Sequence, residues 1–94
     1  MPRRHIGHRL AGTKKINERI HAKRRALERY GLSLTTGDLR EIQQQIQTQE
    51  NALFVRRRSR RVSLWEVIYK NTPMYVVYDK LRDSVVTVLL PDMI

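Results

Sequence analysis

The stretch Asn51-Ala-Leu-Phe-Val-Arg-Arg57 is where the hydrophobic period of the chain changes. Before it, apolar residues recur at helical spacing; from it onward they alternate or run together, as strand residues do. Ala52 to Arg57 therefore reads as a strand, followed by Val62 to Lys70, Met74 to Tyr78 and Val85 to Leu90. Asn71-Thr72-Pro73 and Lys80-Leu-Arg-Asp-Ser84 both read as hairpin turns, so the strands are expected to form an antiparallel meander. The run Val85-Val86-Thr87-Val88-Leu89-Leu90 is the most continuously apolar and is expected to be central. Ala52 to Arg57 or Met74 to Tyr78 would then be an edge able to pair with a partner strand.

Upstream of Asn51 two helices are expected. Thr35 followed three residues later by Asp38 resembles a capping box, and Leu34 and Leu39 occupy the positions of a hydrophobic staple. Leu39, Ile42 and Ile46 give this helix an inner face, and Gln43, Gln44, Gln45, Gln47 and Gln49 are expected on a solvated one. The helix before it runs from about Thr13 to Tyr30 and ends at Gly31, a residue able to take the left-handed conformation of a helix C-terminus. Ile16, Ile20, Leu27 and Tyr30 fall on one stripe, expected to be core, with Lys23 needing to reach a partner or snorkel out. The fold class expected is α+β: two N-terminal helices on one face of a four-stranded antiparallel sheet. The domain would span residues 14–94, after a basic arm over 1–13.

The 94 residues are enough for one modest core, which must be aliphatic, since there is only one Trp and one Phe. No cysteine is present, which removes disulfides and thiolate metal sites. The opening Met-Pro-Arg-Arg-His lacks the apolar run of a secretory signal, and no stretch approaches the about 20 apolar residues of a membrane span. A cytoplasmic protein without a membrane partner is expected.

Charge points to the partner. Nineteen Lys and Arg against nine Asp and Glu give a formal net charge of +10, for which a nucleic acid is the commonest counterpart. Ten of the basic residues precede Gly31, and five lie in Arg56-Arg57-Arg58-Ser59-Arg60-Arg61. Five guanidinium groups within six residues repel one another, so an anionic partner is expected there. The arm would either neutralise phosphates or act as a solubilising tail. His5 and His8 have the spacing of a helical metal pair but lack a third ligand nearby, and no cofactor is expected.

The pattern His21-Ala-x-x-Arg25-x-x-x-Arg29-x-Gly31-Leu32, with Asp38 opening a second helix, then Tyr75-Val-Val-Tyr-Asp79 and Ser84-Val-Val-Thr87, resembles a known family. These are the small phage and bacterial domains related to the barnase, colicin-type and RelE-type ribonuclease fold; the resemblance covers about residues 20–90. It implies a metal-independent, toxin-like endoribonuclease, acting on RNA rather than DNA, free or bound in a host or ribosomal complex, with an inhibitor protein as a possible partner. Such cleavage needs a base, an acid and cations around the developing charge. His21, with an unperturbed pKa near 6.5, suits acid or base work, and Arg24 suits the phosphate. Tyr78 and Thr87 would add hydroxyls from the strands, while Arg25, Arg29, Arg56, Arg57, Arg58, Arg60 and Arg61 would bind nucleic acid. Each has a plainer reading: His21 a surface histidine paired with Glu28 or a carbonyl, the helix arginines a solvated face, and Tyr78 and Thr87 ordinary strand residues. Trp65 either stacks on a base or is partly buried. The alternative function is a non-catalytic regulator or inhibitor that binds nucleic acid or a host nucleoprotein through the same basic surface.

Overall fold

A computed structural model describes the side chains of residues 16–94 and orders the elements as α1 (Pro2–Tyr30), α2 (Thr36–Thr48), β1 (Ala52–Arg57), β2 (Val62–Tyr69), β3 (Thr72–Asp79), β4 (Ser84–Leu89) and a closing 3-10 turn, Pro91–Met93. The arm expected over 1–13 and the His5 and His8 pair lie outside the described residues. The four strands form one antiparallel sheet in the order β1-β2-β3-β4, the expected meander. One face of that sheet and both helices share a single core: Ala22 and Ala26 from α1, Leu39, Ile42 and Ile46 from α2, and Ala52, Val67, Tyr69, Met74, Val76, Tyr78, Val85 and Val88 from the strands. The α+β arrangement is therefore as the sequence pattern predicts.

Local chemistry explains the boundaries. Gly31, at φ +67°, ends α1: its N–H donates to the Leu27 carbonyl at 3.0 Å, the hydrogen bond of a helix cap made by one left-handed residue, and the Leu32 N–H donates to the Ala26 carbonyl at 3.2 Å. The capping box opens α2: Asp38 N–H donates to Thr35 Oγ1 at 3.0 Å while Thr35 N–H donates to Asp38 Oδ2 at 2.8 Å. The Thr35 N–H, and then the Tyr69 hydroxyl, hold the Asp38 carboxyl well below the usual carboxylate range. Leu34 and Leu39, the two staple residues, are both buried. Between β2 and β3 the turn residues are Lys70 and Asn71, both at positive φ, so the hairpin is a two-residue turn one position earlier than the expected Asn71-Thr72-Pro73. The β3–β4 turn is held by Asp79 Oδ1, which accepts from the Leu81 and Arg82 amides.

Three expectations are corrected. Of the stripe Ile16, Ile20, Leu27 and Tyr30, Tyr30 packs against the core, but Ile16, Ile20 and Leu27 are 53%, 48% and 56% exposed, and α1 meets the sheet through fully buried Ala22 and Ala26. The two alanines let the helix lie close along β4, an approach that isoleucine and leucine would block. Second, β4 is an edge strand and Met74 to Tyr78 lies in the interior strand β3. What makes β4 apolar is the helix beside it, not a strand on either side. Third, the glutamine face is not wholly solvated: Gln45 Nε2 donates to the Ile68 carbonyl and Gln47 Nε2 to Asp83 Oδ1. Lys23 finds the partner that its position demands, donating to Thr36 Oγ1 at 2.9 Å.

Candidate nucleic-acid interface

The hairpin joining β1 to β2 carries the arginine run, and its geometry follows from one irregularity. Phe54 pairs with Trp65, but the next registered pairs are Arg56 with Leu64 and Arg57 with Ser63, so Val55 is an extra residue in β1. Side chains of a strand alternate between faces, and without the bulge Arg57 would lie opposite Phe54. The inserted residue turns Arg57 onto the face that holds Phe54, Trp65 and Ser63. Across the loop the amides of Arg58 and Ser59 donate to the Val62 carbonyl, and the Val62 amide donates to Ser59 Oγ.

A shallow cleft of about 170 Å³ results, lined by Phe54 and Trp65, by Arg57, Arg60 and Lys80, and by small neighbours, with no carboxylate in its wall. Lys80 belongs to it because its amide donates to the Arg61 carbonyl at 2.8 Å, fastening the β3–β4 turn to the hairpin. The two aromatic rings meet edge to face, centroids 5.6 Å apart at 81°. Trp65 Nε1 donates to Ser63 Oγ at 2.8 Å, which fixes the indole.

The expected binding arginines divide by use. Arg56, Arg57, Arg58 and Arg60 are exposed and make no ion pair among the described residues. Arg61 instead serves the fold: its Nε lies 3.3 Å from the carboxylate of Asp79, which is only 2% exposed. On α1, Arg25 pairs with Glu28 at 2.7 Å, and Arg29 donates to the Val88 carbonyl at 2.6 Å.

The residues expected to act on RNA are not gathered into one place. Tyr78 is buried on the core face, where its hydroxyl donates to Asp83 Oδ1 at 2.5 Å and accepts from Gln47 Nε2 at 3.4 Å. Burial, and then the Asp83 carboxylate, push its pKa up, so it stays a neutral phenol. Thr87 is paired with Val77 and adjoins core-facing Val88, which places it on the opposite face of the sheet. His21 and Arg24 are exposed on α1, and neither makes a hydrogen bond among the described residues; Glu28, the partner weighed for His21, is taken by Arg25. No group of three or more potential metal ligands comes together among the described residues.

Phe54 and Lys80 belong to the cleft without being singled out by the sequence. Nothing local marks Phe54, since its place beside Trp65 and Arg57 depends on cross-strand register and on the bulge. Trp65 is half-buried against the core, as its plainer reading expects, and it also lines the cleft. No protein-family model matches the chain, and no similar curated protein or solved structure is found.

Proposed function

We propose that this chain is a basic RNA-binding module acting in the cytoplasm, and that it works by occupying RNA or a host nucleoprotein rather than by cutting it. The observation that supports this is the set of four exposed arginines, Arg56, Arg57, Arg58 and Arg60, on one hairpin whose cleft has no acidic residue in its wall. Each guanidinium that neutralises a phosphate releases counterions, so affinity is electrostatic and falls with salt. The resemblance to the ribonuclease fold favours RNA over DNA. The cleft offers neither an imidazole nor a carboxylate, so its chemistry is binding rather than proton transfer. One observation favours the ribonuclease reading: His21 is exposed on α1 with Arg24 one turn on, both free of partners among the described residues.

The test incubates the protein with labelled RNA in EDTA and follows both mobility and cleavage. The expected result is a shifted, intact RNA, with the shift weakened when Arg56, Arg57, Arg58 and Arg60 are changed together to Gln. The slope of log affinity against log salt should fall by about 0.7 for each phosphate of a single strand that the variant no longer neutralises. Arg61 is left in place because its removal would strip Asp79 of its ion pair. Cleavage abolished by His21→Ala would establish the ribonuclease instead, and unchanged binding by the arginine variant would remove the hairpin from the proposal.

A further inference from the structure

We infer that the cleft beside the arginine hairpin takes an unpaired nucleotide, base against Phe54 and Trp65 and phosphates among Arg57, Arg60 and Lys80, so that the RNA recognised is single-stranded. This rests on the RNA-binding reading and names the kind of RNA.

Phe54 is the residue that points to a base. It is the only phenylalanine, and it is 57% exposed although its register partner Trp65 packs against the core. An aromatic ring left open beside three cations is what recognition of unpaired bases uses: the ring stacks on a base and the cations track the backbone. The bulge at Val55 makes the arrangement, since it alone brings Arg57 to the same face as the two rings. Trp65 has already committed its one N–H to Ser63, so what it presents to a ligand is ring surface and not a donor. That suits a contact tolerant of base identity.

Size and charge select against the alternatives. About 170 Å³ accommodates one planar ring system with its attached phosphate, not the backbone ridge of a helix. In an RNA duplex the base faces are stacked on one another and cannot reach Phe54, which would leave only the arginines to act. A purely apolar ligand would gain nothing from Arg57, Arg60 and Lys80, and a cation would be repelled by them.

The experiment measures binding of the full chain to a labelled, unstructured oligouridylate, to a duplex RNA of equal length and to uridine monophosphate, at one salt concentration. The fluorescence of Trp65, the only tryptophan, is read in parallel. The expected result is tighter binding of the single strand with quenching of Trp65, and weak binding of the mononucleotide, which engages one site without the neighbouring hairpin arginines. Phe54→Ala should weaken the single-strand complex about 5- to 100-fold and leave duplex binding unchanged. Trp65→Leu serves as a second variant read by labelled RNA, each variant being checked for an unchanged fold by circular dichroism. Equal binding of both RNAs, unaltered by Phe54→Ala, overturns the inference while leaving the RNA-binding reading intact; failure to bind any of the three overturns that reading itself. Mononucleotide binding as tight as the oligomer would overturn a single-stranded RNA in favour of a free nucleotide.

Discussion

The two outer edges of the sheet are built from similar residues and treated in opposite ways. The β4 edge is closed by α1: Arg29 donates to the Val88 carbonyl, Glu18 accepts from Ser84 Oγ, and the Tyr30 hydroxyl both donates to the Leu89 carbonyl and accepts from the Tyr75 amide. Among the described residues, the β1 edge has no such cover. Leu53, Phe54 and Val55 are exposed there, and the arginines that follow are left without partners among the described residues. Natural sheets blunt an open edge with bulges and charge, and β1 carries both, a bulge at Val55 and arginines beyond it. Among the described residues, the arginines near the two edges are used differently. Arg29, Arg61 and Arg82 satisfy Val88, Asp79 and Glu18, whereas Arg56, Arg57, Arg58 and Arg60 make no ion pair among the described residues.

Breaking the closed edge should have the larger effect. Ala26 is fully buried where α1 lies against β4, so Ala26→Leu must either push the helix off the strand or strain both. Overpacking of this kind costs about 1–3 kcal/mol, read as a lowered midpoint of urea unfolding with an unchanged slope. Stability equal to wild type would mean that α1 is not seated on the strand as described.

Next in size is Tyr30→Phe, which removes the hydroxyl bridging Leu89 and Tyr75 and should cost about 1–2 kcal/mol at neutral pH. Burial raises the pKa of this phenol above its ordinary 10. Because the folded value is the higher one, the hydroxyl's contribution is fully present below pH 10 and is lost as pH rises through the folded value. The stability gap between wild type and Tyr30→Phe should therefore be flat from neutral pH to about 9 and shrink at more alkaline pH. A gap that stayed constant through that range would mean that the phenol is not held in its neutral form by the fold.

Most of the architecture is legible in the sequence because its signals are local. The capping box at Thr35 and Asp38, Gly31 as a helix stop, and the change of period after Asn51 each depend on a few neighbouring residues. The inner face of α1 is not legible, for a physical reason. Hydrophobic periodicity weights side chains by size, and here the buried side is chosen for closeness, with Ala22 and Ala26 inside and Ile16, Ile20 and Leu27 outside. The same limit applies to the site. The arginine run is visible as composition, but Phe54 joins it only through the register of β1 on β2 and the extra residue at Val55. Tyr78 and Thr87 are expected to converge on His21, yet the pairing of Thr87 with Val77 puts them on opposite faces.

The smallest stability effect is expected at the open edge, and that is what makes it informative. Leu53 is 67% exposed on β1, opposite Glu66 of β2, and its side chain contributes little buried area. Leu53→Lys should therefore alter stability by no more than about 0.5 kcal/mol, as exposed substitutions usually do. It also adds a cation to the strand leading into the arginine hairpin, beside a carboxylate that it can pair with across the ladder. If the hairpin is the RNA-binding element, affinity should rise modestly or stay level while the unfolding midpoint hardly moves. A large drop in stability would instead mean that this edge, like that of β4, is covered in solution by something that Leu53 packs against, and the contrast between the two edges would disappear.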